Sequence, residues 1–143
     1  MEIQNFAYMN TTVLAYLGDS VYELYVRMHV LDKGQVNADK LHQTTIKYVR
    51  AEAQAEALKE ILELLTDEEM TLVKRARNKK ITSKPKNADP VVYKWATALE
   101  ALVGYLYLSE KKERLEFIIK IIIEAIERIK GNHNARKTKS EQV

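Results

Sequence analysis

The sequence predicts a single all-α domain, and three features of the 143-residue chain support this prediction. Apolar residues recur at intervals of three and four along most of the chain, which is the period of an amphipathic helix. No stretch alternates with the two-residue period of a strand, and no linker or repeat divides the sequence. The length suits one domain, and a composition of 46% hydrophobic and 30% charged residues is typical of a folded chain.

The first two helices have clear start signals. Asn10, Thr11 or Thr12 can cap the first helix, and Gly34 ends that region. Asn37 begins the second helix. The apolar residues of the first helix, spaced by three and four, are Leu14, Leu17, Val21, Leu24, Met28 and Leu31.

The middle of the chain predicts three more helical segments. Residues 51–65 are rich in Ala, Leu and Glu, which favour helix. Thr66 and Glu69 have the spacing of a capping box, so a further helix should begin there and run into a basic segment. Asp89 followed by Pro90 is typical of an N-cap with proline at the first helical position.

The last predicted helix runs from about Lys111 to Lys130, and we expect Gly131 to end it. The residues that follow Gly131 are mostly polar, which predicts a domain boundary there. We therefore expect a domain over residues 1–131 and a basic, disordered tail over residues 132–143.

Several functional classes are excluded by what the sequence lacks. It has no cysteine, which excludes disulfides, thiolate metal sites and cysteine nucleophiles. The first residues do not have the pattern of a signal peptide. The longest apolar stretches, residues 101–108 and 118–123, are far shorter than the ~20 residues that span a bilayer. We therefore expect a cytoplasmic protein.

The charges are unevenly distributed along the chain. The net charge is only +3, but residues 74–86 contain seven basic residues and no acid, and residues 128–139 contain five more and no acid. The rest of the chain carries a formal charge of −9. This pattern is typical of a protein that binds a polyanion through local basic segments. A solvated loop and a frayed tail are the alternative interpretation.

Two carboxylates lie where helices are otherwise apolar. Asp19 is the only charge between Asn10 and Tyr22, and Glu100 is the only charge among fourteen residues around it. Neither has a basic residue three or four positions away. Because an isolated buried carboxylate is very costly, each needs a distant basic partner or a cation.

Glycines accompany both acids. Gly18 precedes Asp19, while Gly104 and Thr97 share the helix face of Glu100. A glycine inside a helix costs about 1 kcal/mol relative to alanine. Two interpretations explain these glycines. Either another backbone or a substrate approaches closely, or two helices cross tightly there.

Three ordered segments resemble the ribonuclease III family. LAYLGDSVYE is similar to the family signature, and LHQTTIKYVRAEAQA at residues 41–55 and ALEALVGYLYL at residues 98–108 match two further family segments. Together they cover most of residues 11–110. Most of the family has a double-stranded-RNA-binding domain after the nuclease domain. This sequence leaves no room for one, as in the short bacterial branch that matures large-subunit (23S) ribosomal RNA.

The resemblance implies a homodimeric, all-helical endonuclease, with residues 1–131 as its catalytic domain, that cuts both strands of double-stranded RNA with Mg²⁺. By position, Asp19 and Glu100 match the family's metal-binding and catalytic acids. Thr12, Thr97 and Ala15 stand at other positions where family members carry acids. We interpret these departures as a feature of the short branch, in which two carboxylates and the substrate's phosphates hold Mg²⁺. The resemblance implies products with 5′-phosphate and 3′-hydroxyl ends, and no histidine base is needed. We expect His42 to pack or orient helices.

RNA binding must come from the domain itself, and the basic segment over residues 74–86 is the candidate. A-form RNA is recognised largely through phosphate and 2′-hydroxyl contacts, and the segment has no interleaved aromatic residues for stacking single strands. Modest affinity would make a ribosomal protein useful for recruitment. The candidate RNA-binding residues are Lys74, Arg75, Arg77, Asn78, Lys79, Lys80, Lys84 and Lys86.

Two other functions fit the same residues. One is a catalytically inactive RNA-binding factor in ribosome assembly, and the other is a helical partner-binding module whose motifs reflect packing alone. Loss of duplex cleavage in an Asp19→Asn variant would distinguish the nuclease from both.

Overall fold

The structure is a computed structural model that describes residues 5–141, with side chains through residue 139. Six α-helices make up most of these residues, and none of the described residues forms a strand, which confirms the all-α prediction. The helices are α1 (Thr11–Asp32), α2 (Ala38–Val49), α3 (Ala51–Ile61), α4 (Asp67–Asn78), α5 (Pro90–Leu108) and α6 (Lys112–Glu141), with 3₁₀ turns at Phe6–Tyr8 and Leu62–Leu64.

The predicted helix starts are confirmed by their caps. The Asn10 side chain accepts a hydrogen bond from the Thr12 amide at 2.8 Å, and Asn37 accepts one from the Lys40 amide at 3.1 Å. Thr66 forms the complete capping box with Glu69. Asp89 caps α5 through the amides of Val91 and Val92, with Pro90 at the first helical position. These signals are local, so the sequence contains all the residues that form each cap.

Helix α5 forms the centre of the domain. It packs against α1, α3, α4 and α6, and its largest interface is with α1. Between Ala98 and Leu106 every residue is buried except Glu100. A helix that is apolar on nearly all sides is surrounded by other helices. A carboxylate in such a helix therefore needs a hydrogen-bond partner or a cation.

Helix α6 is longer than the sequence predicts. The prediction that Gly131 ends the helix and that a disordered tail follows is wrong for the described residues, because α6 continues through Gly131 to Glu141. A glycine in a helix costs only about 1 kcal/mol, and good helix formers such as Ala135 and Arg136 follow it. Residues 142 and 143 of the predicted tail lie outside the described residues.

A buried ion pair joins α4 to α6. The side chain of Glu69 is only 5% exposed and accepts two hydrogen bonds from the Arg114 guanidinium, at 2.8 and 2.7 Å. Burial opposes ionisation of Glu69, but the bonds from Arg114 and Thr66 outweigh it and lower the pKa of Glu69.

Within the described part of the chain, none of the helices has the length and apolar character needed to cross a membrane.

Candidate active site

Helices α1 and α5 cross at two glycines. A Cβ atom added to Gly18 would lie 1.7 Å from the Glu100 carbonyl oxygen, and one added to Gly104 would lie 2.0 Å from the Leu14 carbonyl oxygen. Real Cβ atoms essentially never approach a heavy atom within 3.0 Å. Only glycine therefore allows the two backbones to approach so closely, and the structure favours tight helix crossing as the reason for these glycines.

This crossing brings the two unusual acids together. The carboxyl groups of Asp19 and Glu100 are hydrogen-bonded across the α1–α5 interface, with Asp19 exposed and Glu100 partly buried. Burial, together with the hydrogen bond and negative charge of Asp19, raises the pKa of Glu100 to about 9. At neutral pH, Glu100 is therefore largely protonated when no cation is bound.

In the part of the chain that the structure describes, neither acid has a basic partner. None of the ion pairs among the described residues involves Asp19 or Glu100. The alternative of a buried ion pair with a distant Lys or Arg is therefore not supported. Two adjacent carboxyl groups without a basic partner form an oxygen donor pair that suits a divalent cation such as Mg²⁺. No cluster of three or more His, Cys, Asp or Glu with metal-binding geometry occurs in the described part of the chain, so a divalent cation at this pair would need further oxygen ligands from elsewhere.

A buried tyrosine lies close to the acid pair. Tyr22 follows Asp19 by three residues, and its hydroxyl donates a 2.8 Å hydrogen bond to the Tyr48 carbonyl. Burial raises the pKa of Tyr22, and the nearby charges of Glu100 and Tyr48 raise it further. Tyr22 was not among the site residues predicted from the sequence, although its spacing from Asp19 places it on the same face of the helix. Its hydrogen bond joins α1 to the end of α2 close to Glu100.

A lysine lies beside one position where the resemblance expects an acid. The Lys79 ammonium donates hydrogen bonds to the Thr12 hydroxyl at 2.9 Å and the Asn10 side chain at 2.7 Å. Thr12 lies seven residues before Asp19, so the two share a helix face at a separation of roughly 10 Å. A cationic side chain from the basic segment is therefore close to the face of α1 that carries Asp19.

Several residues of the basic segment also have structural roles. Arg75 donates a 2.8 Å hydrogen bond to the Met9 carbonyl, and Arg77 stacks 5.0 Å from the centre of the Trp95 ring. Arg77 also bonds Asn78 at 3.1 Å. Sequence alone could not show these contacts, because each partner except Asn78 lies far away along the chain.

The remaining basic residues face solvent. Lys84 donates to the Ala88 carbonyl at 3.2 Å, while Lys74, Lys80 and Lys86 are exposed and form no hydrogen bond or ion pair with the described residues. These three lysines are the members of the segment most available to a partner. His42 is exposed on α2, so a role in core packing is not supported.

The geometry agrees with comparisons to known proteins. Residues 12–111 match the ribonuclease III domain family. The chain is 43% identical to Mini-ribonuclease 3 of Thermoanaerobacter sp. (strain X514) over 83% of this chain and 84% of that protein. It is 49% identical to Mini-ribonuclease 3 of Brevibacillus brevis over 77% of this chain and 82% of that protein. A crystal structure of a Fusobacterium nucleatum protein superposes with a TM-score of 0.74 at 34% identity, covering 85% of this chain and 98% of that one.

The chain therefore belongs to the ribonuclease III family, a family of nucleases. Within it, the chain is similar over most of its length to proteins named Mini-ribonuclease 3, which confirms the resemblance to the family's short branch.

Proposed function

We propose that this protein is an Mg²⁺-dependent endoribonuclease that cleaves both strands of double-stranded RNA in the cytoplasm. The observation that carries the proposal is the contact between the carboxyl groups of Asp19 and Glu100 across the α1–α5 crossing, where neither acid has a basic partner among the described residues. Membership of the ribonuclease III family supports an RNA substrate.

The two carboxylates have distinct tasks in this proposal. Both carboxylates would hold the ion; Asp19, which is exposed, would be the one open to the substrate, and Glu100 is partly buried. Mg²⁺, when bound there, would activate the attacking water and stabilise the departing 3′ oxygen. Glu100 must release its proton for the site to bind a cation, so cation binding should tighten as the pH approaches 9. Thr12, Ala15 and Thr97 offer no charged oxygen, which leaves the other coordination positions to water and substrate phosphate.

Duplex cleavage tests this function. The protein is incubated with a long RNA duplex with Mg²⁺ or with EDTA, and the ends of the products are mapped. We expect Mg²⁺-dependent cuts in both strands that leave 5′-phosphate and 3′-hydroxyl ends. Binding of the duplex without any cleavage would favour the inactive ribosome-assembly factor instead.

The exposed lysines of the basic segment are proposed to contact RNA phosphates. Arg75, Arg77 and Lys79 contact their own chain, so substituting them would also disturb the fold. A Lys80→Ala/Lys86→Ala variant avoids this problem. It should raise the RNA concentration needed for half-maximal cleavage and reduce its dependence on salt, with unchanged helical content. An unaltered concentration dependence would show that these lysines contact solvent and not RNA.

Homodimerisation is proposed from an apolar face of α1 that is exposed in the single chain. Val13, Tyr16, Leu24 and Leu31 are 52%, 83%, 57% and 55% exposed and follow one another at helical spacing. Burying such a face against a second copy removes apolar area from water. Analytical ultracentrifugation should show a dimer for the wild type and a monomer for Tyr16→Asp. A wild-type monomer at micromolar concentration would contradict the proposal.

The proposed biological substrate is the precursor of large-subunit (23S) ribosomal RNA, with a ribosomal protein assisting recruitment. This choice rests on the resemblance to the family's short branch. Purified protein should cut a precursor transcript, and more efficiently when ribosomal proteins are assembled on it. Equal cleavage of any long duplex, with or without those proteins, would contradict this specificity.

A further inference from the structure

A second cationic site lies where α2, α3 and α6 meet. A cavity of about 370 Å³ opens there between the end of α2, the start of α3 and residues 126–134 of α6. Its basic residues are Lys47, Arg50, Lys130 and His133. They come from two distant parts of the sequence, residues 47–50 and 130–133, and only Lys130 and His133 belong to the basic C-terminal segment over residues 128–139.

Two lysines approach each other closely in this cavity. The ammonium groups of Lys47 and Lys130 are within hydrogen-bonding distance of each other. Burial lowers the pKa of Lys130, and Lys47, Lys33 and Arg50 lower it further through their positive charges. A charged ammonium group only donates hydrogen bonds, so an acceptor placed between these two exposed groups could bond both of them at once.

The cavity's own acids do not supply that acceptor. Glu52 and Glu56 line its wall, but neither forms an ion pair with Lys47, Arg50 or Lys130 among the described residues. Among the described residues, these cations therefore have no carboxylate in direct ion-pair contact. An anion that accepts hydrogen bonds from several of them would relieve their mutual repulsion.

The walls suit a small oxyanion. Helix α3 begins here without a side-chain cap, so its first amide groups lack side-chain acceptors at the cavity's edge. Ala53, Ile126 and Ile129 form an apolar floor that lowers the local dielectric and strengthens charge interactions.

We propose that this cavity is a phosphate-binding site in which Lys47, Arg50 and Lys130 hold one phosphate group. The phosphate belongs either to the backbone of an RNA duplex or to a free phosphate-bearing molecule. The site does not depend on the proposed cleavage reaction, since neither Asp19 nor Glu100 lines the cavity.

Titration with inorganic phosphate tests the site directly. Two-dimensional ¹H–¹⁵N NMR spectra are recorded during the titration, with sodium chloride of equal ionic strength as reference. We expect saturable shifts of the amides at the start of α3 and around Lys130. A Lys47→Ala/Lys130→Ala variant should lose these shifts. Lys40→Ala/Lys120→Ala, which removes the same charge from exposed positions on the same two helices, should retain them.

Duplex binding in EDTA distinguishes the two sources of phosphate. If RNA supplies it, Lys47→Ala/Lys130→Ala should weaken duplex binding about tenfold and reduce the slope of log Kd against log salt by about 1 to 2. Saturable phosphate shifts with unchanged duplex affinity would support a free phosphate-bearing ligand. The proposal is overturned if phosphate causes no saturable shifts and the variant binds the duplex like the wild type. Far-ultraviolet circular dichroism checks that every variant is folded.

Discussion

The spacing between α1 and α5 can be perturbed by one methyl group. In a Gly104→Ala variant, the new Cβ would lie 2.0 Å from the Leu14 carbonyl oxygen, whereas ordinary van der Waals contact begins at 3.4 Å. The two helices would have to separate by about 1.4 Å, because the opposing atom belongs to the backbone and cannot rotate away. Such a shift would also move apart the carboxyl groups of Asp19 and Glu100, since Glu100 lies one helical turn from Gly104.

Two opposing terms set the size of the effect. Overpacking of a core costs about 1–3 kcal/mol and sometimes more, and a backbone clash falls at the upper end. Alanine gains about 1 kcal/mol over glycine in helix propensity. We expect a net loss of about 2 kcal/mol in the free energy of unfolding. For a domain of this size, that corresponds to a fall of roughly 6–8 °C in Tm.

Urea and thermal unfolding of Gly104→Ala measure this loss, with Gly131→Ala as the matched control. Gly131 is also helical, but an added Cβ would meet nothing within 4 Å, so this variant should be stabilised by up to about 1 kcal/mol. Duplex cleavage by folded Gly104→Ala should fall about 100-fold, since small displacements of reacting groups are costly. A Gly104→Ala protein as stable and as active as the wild type would refute the proposed role of the crossing.

Three further predictions concern charges and caps. Glu69→Gln should lower the free energy of unfolding by about 1.5–3 kcal/mol at pH 7, the usual contribution of hydrogen bonds to a charged group. Because folding lowers the pKa of Glu69, that contribution should disappear as the pH falls below about 4.5 in urea titrations. In EDTA, the wild type should become less stable as the pH rises from about 4.5 to about 9, because Glu100 ionises in the unfolded chain but keeps its proton in the folded one. Glu100→Gln should lack this decline. Asp89→Ala removes the cap of α5 and should lower Tm through a loss of about 1 kcal/mol. A flat pH profile for the wild type, or an unchanged Tm for Asp89→Ala, would contradict the respective interpretation.

Local signals accounted for the helix starts. Each of the caps at Asn10, Asn37, Thr66 and Asp89 involves residues within three positions, so sequence contains the whole interaction. The helix end predicted at Gly131 was wrong because a single glycine costs too little to stop a helix followed by good helix formers.

The acid pair shows what sequence can and cannot predict about a site. The apolar surroundings of Asp19 and Glu100 indicated that both need a partner, and the resemblance implied a common site. Sequence left open whether that partner is a distant basic residue. The contact depends on how α1 crosses α5, and this crossing is fixed by the close approach of Gly18 and Gly104 across 86 positions of the chain.

Contacts between residues that lie far apart along the chain could not be predicted from the sequence. Arg75 and Lys79 hold the start of α1, and Arg77 stacks on Trp95, although all three read as part of one basic run. Lys47 and Lys130 meet across 83 positions, so their shared cavity has no sequence signature. Charge patterns predicted where cations are concentrated but not which of them face a partner.

Cleavage of a long RNA duplex in Mg²⁺ by the wild type, Asp19→Asn and Asp32→Asn tests most directly whether the α1–α5 acid pair is the catalytic metal site. Asp32 is an exposed acid at the end of the same helix, so Asp32→Asn matches the change in charge. We predict that Asp19→Asn cuts at least about 100-fold more slowly, while Asp32→Asn cuts at the wild-type rate and all three proteins have the same helical content. Cleavage by Asp19→Asn at the wild-type rate would contradict the assignment of the active site.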